Sequence, residues 1–184
     1  MIATVESGVS QADLSKLEQL VESSVCSSNA YARNLANVGH KIPDSFMQRI
    51  ECHMRRRMAK QNIKVSMTKH LRASGAQVIN APPYGKASQY WHRDAKYDAC
   101  TVIIPFCDVS EANGCTQIVP KSTFGAIDKY RNKQKRAVST ACRRGDVIIF
   151  DSRLIHRGLK NSSAQNRLVL ALEFSDEPHA FTIT

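Results

Sequence analysis

The stretch Arg167-Leu168-Val169-Leu170-Ala171-Leu172-Glu173-Phe174 decides the fold. Successive residues of a β-strand point to opposite faces. Leu168, Leu170, Leu172 and Phe174 therefore form one bulky apolar face, and Arg167, Val169, Ala171 and Glu173 the other. A strand this apolar on both sides belongs where both are covered. The bulky face suits packing beneath helices, whereas small side chains with a guanidinium at one end suit a cavity.

Outward from this strand, the chain changes character near residue 62. Before it, Gln11 to Val25 carries Leu14, Leu17, Leu20 and Val21, and Pro43 to Ala59 carries Phe46, Met47, Ile50, Met54 and Met58. Both spacings predict amphipathic helices, the second opened by Pro43 and Asp44. After it come short β-rich runs broken by Gly, Pro, Asn and Asp: Gly75 to Asn80, Ala99 to Phe106, Thr116 to Val119, Val147 to Phe150, Leu154 to Leu159 and Arg167 to Phe174. Helices followed by strands predict an α+β or mainly β domain, a barrel buttressed by N-terminal helices. The expected organisation is one domain over 1–184, with a helical buttress at 1–62, a β core at 63–176 and a tail at 177–184.

Composition bounds the function. At 184 residues and 42% apolar content, one domain with a real core is expected. No 18-residue apolar run occurs and Met1 to Ser10 lacks a basic start, so a soluble, unexported, cytoplasmic protein without membrane partners is expected. Cys26, Cys52, Cys100, Cys107, Cys115 and Cys142 form no CxxC pair, which argues for free thiols and against a zinc knuckle. The net charge of +10 is uneven. Arg55, Arg56, Arg57 and Lys60 make one cluster. A second comprises Lys129, Arg131, Lys133, Lys135 and Arg136, and a third Arg143, Arg144, Arg153, Arg157 and Lys160. Such runs are ordinarily solvated faces, although an anionic small molecule, nucleic acid or protein partner fits them.

The chemistry sits in Gln89-Tyr90-Trp91-His92-Arg93-Asp94, followed about sixty residues later by Asp151-Ser152-Arg153-Leu154-Ile155-His156 and then Arg167. On a strand, His92 and Asp94 share a face, and a second histidine from elsewhere completes two imidazoles and one carboxylate. That set leaves positions open for a chelating cosubstrate and dioxygen on Fe(II). Asn161-Ser162-Ser163-Ala164-Gln165 is expected to turn Leu154 to Leu159 back against the last strand as a hairpin, with Val169 or Ala171 beside His156. Arg167 then lies roughly 7 to 13 Å along at ~3.3 Å per residue, a span that suits a short dicarboxylate. Arg93 and Arg157 alternate away from the ligand face. His40, His53, His70 and His179 lack partners at ligand spacing.

The chain resembles the phytanoyl-CoA dioxygenase family of Fe(II)- and 2-oxoglutarate-dependent oxygenases. The matching text runs from Asn80-Ala81-Pro82-Pro83 through the His92 segment, Asn113-Gly114-Cys115, Val119-Pro120-Lys121-Ser122 and Gly145-Asp146 to His156, Gly158, Asn161, Ser162 and Arg167, roughly residues 62 to 176. The resemblance implies a double-stranded β-helix (jelly-roll, cupin-like) and metal ligands His92, Asp94 and His156. It implies that Arg167, eleven residues beyond His156, binds the far carboxylate of 2-oxoglutarate. It also implies Fe(II), 2-oxoglutarate and O2 as cofactor and cosubstrates, with release of succinate and CO2. Thr101 or Gln89 is expected to assist the arginine, since Gly158 and Val169 leave bare two places where the family often keeps a small polar group. Related halogenases have a small residue where Asp94 stands, so hydroxylation, or demethylation or desaturation begun in the same way, is favoured. The alternative is a non-catalytic metal-binding β-helix that binds an anionic partner such as nucleic acid. Neither substrate nor oligomeric state follows from these residues.

Overall fold

A computed structural model of the chain describes residues 2–5, 9–22, 34–37, 42–60, 72–127 and 136–175. In chain order the elements are β1 (Ile2–Val5), α1 (Gln11–Glu22), β2 (Asn34–Asn37), α2 (Asp44–Lys60), β3 (Arg72–Ala81), β4 (Ala99–Pro105), β5 (Thr116–Ile118), β6 (Val138–Ser139), β7 (Val147–Asp151), β8 (His156–Gly158) and β9 (Arg167–Ser175). A six-stranded sheet has the order β1-β7-β4-β9-β3-β2, and a three-stranded sheet has the order β6-β5-β8. Every pairing between these strands is antiparallel. The two sheets face each other as a double-stranded β-helix, the jelly roll that the resemblance implies.

The two faces of β9 separate as the alternation predicts. Leu170, Leu172 and Phe174 are fully buried with Leu14, Leu17 and Val21 of α1 and Phe46 and Ile50 of α2, and Leu168 packs at the margin. On α1 the apolar residues recur at i, i+3 and i+7, which makes one stripe. Ser10 starts that helix by accepting the Asp13 amide on its hydroxyl at 3.1 Å. Each large side chain buried between helices and sheet contributes roughly 1.5–3 kcal/mol. On the opposite face Val169 and Ala171 join Ile79, Ile103, Ile118, Ile148, Phe150 and Leu154 between the sheets. Arg144 clamps α1 to the β6–β7 loop: its Nε donates to the Phe106 carbonyl and its other nitrogens reach Gln11 and Glu18.

Two features depart from the expectation. The 1–62 segment contributes β1 and β2 as outer strands of the large sheet, so it is more than a helical buttress. Four-residue runs such as Ile2–Val5 are too short for periodicity to mark, and they become strands only because a neighbour supplies the hydrogen-bond ladder. The predicted end of the first helix, beyond Glu22, lies outside the described residues, as do Cys26, His40, His70, His179, Lys129, Arg131, Lys133 and Lys135; the side chains of His53, Arg57 and Lys60 do too. The second departure is topological. β8 does not pair with β9; it pairs with β5, while β9 lies between β3 and β4. Alternation fixes which side chains share a face, but it does not say which strand lies alongside. The Asn161 loop crosses from one sheet to the other, and His156 faces the β9 cavity across the sandwich.

Cys52, Cys100, Cys107, Cys115 and Cys142 are free thiols. Among the described residues no helix is long and apolar enough to cross a membrane.

Candidate metal centre

Two backbone hydrogen bonds set the site. The His92 amide donates to the His156 carbonyl at 3.0 Å and the His156 amide to the His92 carbonyl at 2.9 Å, forming an isolated antiparallel bridge. The bridge brings residues sixty-four apart in sequence side by side, with ring centroids 4.4 Å apart. His92 is thus held by one bridge and not by a full strand. Asp94 reaches the rings because its own amide is fixed to the Ser152 carbonyl at 3.0 Å.

Each imidazole is oriented in the same way. His92 Nδ1 donates to the Tyr90 carbonyl at 2.8 Å and His156 Nδ1 to the Leu154 carbonyl at 2.9 Å. A carbonyl only accepts, so the neutral rings carry their proton on Nδ1 and present a bare Nε2. Asp94 Oδ1 lies 3.3 Å from His156 Nε2 and 3.7 Å from His92 Nε2. It is buried without a hydrogen-bond donor. Two imidazole lone pairs and one carboxylate oxygen, mutually within 4.8 Å, converge on one point. With both rings neutral, these three acceptors fit a divalent cation, and two nitrogens with one oxygen fit iron. Burial disfavours the Asp94 charge, yet His156 and the Thr101 hydroxyl outweigh it and hold the carboxyl below its ordinary range. His156 is desolvated as well, and Asp94 raises its pKa in spite of this.

His92, Asp94 and His156 open onto a cavity walled by Ile79, Ile103, Phe150, Val169 and Ala171, with Arg167 also in its lining. Arg167 is only 4% exposed, its Nε is buried without a hydrogen-bond partner, and the titratable groups around it are the thiols of Cys107, Cys115 and Cys142 rather than carboxylates. Burial lowers its pKa to about 10. A buried guanidinium without a protein partner is costly unless an anion joins it. The lining therefore combines a side-chain set that could hold a metal ion with a buried guanidinium that suits an anion.

Thr101 and Gln89 line this cavity, but their hydrogen bonds lead elsewhere than to Arg167. The Thr101 hydroxyl donates to Asp94 Oδ2 at 2.7 Å. Gln89 Oε1 accepts the Gly158 amide at 2.8 Å, so its side chain occupies the neighbourhood that Gly158 leaves bare. Thr101 shares its face of β4 with Ile103, and both side chains line the cavity. Thr116, also in the lining, was not anticipated. Its alternation with Ile118 inside the predicted strand carried that signal. Tyr97 donates to Glu173 at 2.8 Å and ties the loop after Asp94 to β9. Of the third basic cluster, Arg153 pairs with Asp151 and Asp98, and Arg157 stacks 4.4 Å over Trp91 while binding Gln117. Arg93 donates to the Arg153 and Ser122 carbonyls. None of these three lines the cavity.

The fold is similar to that of the non-heme alpha ketoglutarate dependent epimerase SnoN from nogalamycin biosynthesis, at 18% identity over 95% of this chain and 78% of that one, with a TM-score of 0.73. AviO1 from Streptomyces viridochromogenes Tue57 is similar at 18% identity, covering 95% and 89% of the respective chains, with a TM-score of 0.72. EvdO2 from Micromonospora carbonacea var. aurantiaca is similar at 16% identity, covering 94% and 85%, with a TM-score of 0.70. At these identities the likeness establishes the architecture alone. No curated protein sequence matches the chain. The phytanoyl-CoA dioxygenase model, by contrast, matches residues 18–169, a span that takes in the end of α1, all of α2, the His92–Asp94 segment, His156 and Arg167. By that match the chain belongs to the phytanoyl-CoA dioxygenase (PhyH) family.

Proposed function

We propose that this protein is an Fe(II)- and 2-oxoglutarate-dependent dioxygenase that oxidises a small organic substrate, with His92, Asp94 and His156 holding the metal and Arg167 holding the far carboxylate of the cosubstrate. One observation carries the reading. A convergent set of three metal-ligand side chains and a buried guanidinium whose Nε has no hydrogen-bond partner face the same cavity. Family membership agrees with it, as do relatives solved with such ligands: SnoN in complex with Fe3+, alpha ketoglutarate and nogalamycin RO, and EvdO2 with 2-oxoglutarate.

Bound together, iron and 2-oxoglutarate would let dioxygen oxidise a substrate C–H bond, one oxygen atom entering succinate as CO2 is released and the other entering the substrate. The chain's own residues do the rest. The Nδ1 bonds of His92 and His156 to carbonyls keep both Nε2 atoms available as ligands. Arg167 can meet a carboxylate bidentately, and its charge offsets the desolvation of a dianion. Ile79, Ile103, Phe150 and Val169 exclude water from the space between. Asp94 occupies the position that a halide would need, which favours hydroxylation over halogenation.

Anaerobic addition of Fe(II) and 2-oxoglutarate should produce the weak visible charge-transfer band of a chelated keto acid, and Arg167→Ala should remove it at cosubstrate concentrations that saturate the wild type. A wild-type protein that gives no band and releases no succinate under oxygen would sink the proposal.

A further inference from the structure

The two oxygens of Asp94 are treated differently. Oδ1 faces the imidazoles and has no donor, whereas Oδ2 accepts the Thr101 hydroxyl at 2.7 Å. A carboxylate cannot donate, so the Thr101 proton is committed to Oδ2. The second contact of Thr101 Oγ1, to Ser152 Oγ at 2.8 Å, must then run from Ser152 to Thr101. Both hydroxyls are buried, Thr101 at 2% and Ser152 at 0% exposure. Ser152 is itself fixed at three backbone points: its carbonyl accepts the Asp94 and Ala95 amides, and its amide donates to the Ala99 carbonyl at 3.0 Å. Strand β4 supplies Thr101, the turn after β7 supplies Ser152, and both converge on the carboxylate.

We infer that Ser152 and Thr101 form a directed hydroxyl relay that restricts Asp94 to one-oxygen coordination and so keeps open the metal positions that the cosubstrate and dioxygen require. The inference rests on the metal site proposed above. Oδ2 cannot swing toward the metal without leaving the Thr101 proton, and Thr101 cannot turn without leaving Ser152 unpaired in a buried place. Both donors are neutral, so Asp94 keeps its full charge for the cation. Thr101 and Ser152 are positioning residues that act through Asp94.

The test uses the full chain, Mn(II) as the probe for affinity, and Co(II) as the probe for coordination number. Thr101→Val keeps the shape and removes the donor, Thr101→Ser keeps the donor, and Ser152→Ala removes only the first link. Expected are an Mn(II) affinity about tenfold weaker for Thr101→Val, a smaller loss for Ser152→Ala, and recovery to within about twofold for Thr101→Ser. The visible d–d bands of the Co(II) protein should shift in Thr101→Val and return in Thr101→Ser, a signature that loosened packing alone does not produce. If Thr101→Val fails to fold, Ser152→Ala against Thr101→Ser decides: a wild-type Co(II) spectrum and wild-type Mn(II) affinity in Ser152→Ala overturn the relay. Wild-type values in Thr101→Val overturn it equally. If the wild type takes up neither metal, the metal site itself is wrong, and the relay falls with it.

Discussion

Arg167 should destabilise the protein that depends on it. Burial lowers its pKa to about 10, with no carboxylate among the described residues to compensate. At ~1.36 kcal/mol per pKa unit, the desolvation costs the ligand-free fold roughly 3 kcal/mol. The sign is that of a base whose folded value is depressed: the unfolded chain holds the proton more tightly, so the penalty is present in full at neutral pH and fades only above about pH 10. Arg167→Met removes the charge and keeps most of the volume. Since methionine cannot reproduce every packing contact, the expected net gain is about 1–2 kcal/mol. For a chain of this length that raises Tm by roughly 2–8 °C. Anion binding reverses the order. With Mn(II) present and 2-oxoglutarate at a hundred times its Kd, the wild type should gain about 2.7 kcal/mol and the variant nothing. Thermal unfolding with and without 2-oxoglutarate should thus show the variant melting higher without cosubstrate and the difference vanishing or inverting with it. A variant that melts well below the wild type without ligand, yet still rises with 2-oxoglutarate, would refute both the uncompensated charge and the clamp.

Four further outcomes are expected. His92→Ala should abolish Mn(II) uptake in a calorimetric titration while leaving the far-ultraviolet circular dichroism unchanged, because the bridge to His156 is made by backbone groups. Leu170→Ala, at a fully buried position between sheet and helices, should cost about 2–5 kcal/mol in urea unfolding. Gly114→Ala should destabilise by about 1–3 kcal/mol, since φ is +94° and a Cβ would sit 2.5 Å from the Leu159 carbonyl oxygen; an unchanged urea midpoint would contradict it. Burial opposes the Asp151 charge, but hydrogen bonds from Arg153 hold its pKa below the ordinary 3.8. Its contribution is therefore complete above that value and lost as pH falls through the lower folded value. Asp151→Asn should flatten this acid limb in a pH series of thermal melts.

Much of the site was legible because ligand chemistry is carried by residue type and spacing. His92, Asp94 and His156 are the residues whose side chains converge, and the parity of β9 correctly put Arg167 on the cavity face. The roles assigned within the cavity were less secure. Thr101 and Gln89 are expected to assist the arginine on the strength of the family resemblance alone. Their actual partners, Asp94 and Gly158, depend on how β4 and the segment before His92 meet other strands. The basic residues read as a possible anionic interface include Arg144, Arg153 and Arg157, which are spent on contacts within the chain.

The amino-acid order alone determined the strand and helix periodicities, the two-faced character of Arg167–Phe174 and the candidate metal donors, because each depends on side-chain type at short range. The tertiary structure decided which strands are neighbours. Alternation is blind to whether the next strand lies alongside in the same sheet or across in the facing one, so the hairpin expected between Leu154–Leu159 and β9 is in fact a crossing between sheets. It also decided the direction of the Ser152, Thr101 and Asp94 hydrogen bonds. Those depend on three segments, fifty-eight residues from first to last, arriving at one buried point, and no local pattern encodes such an arrival.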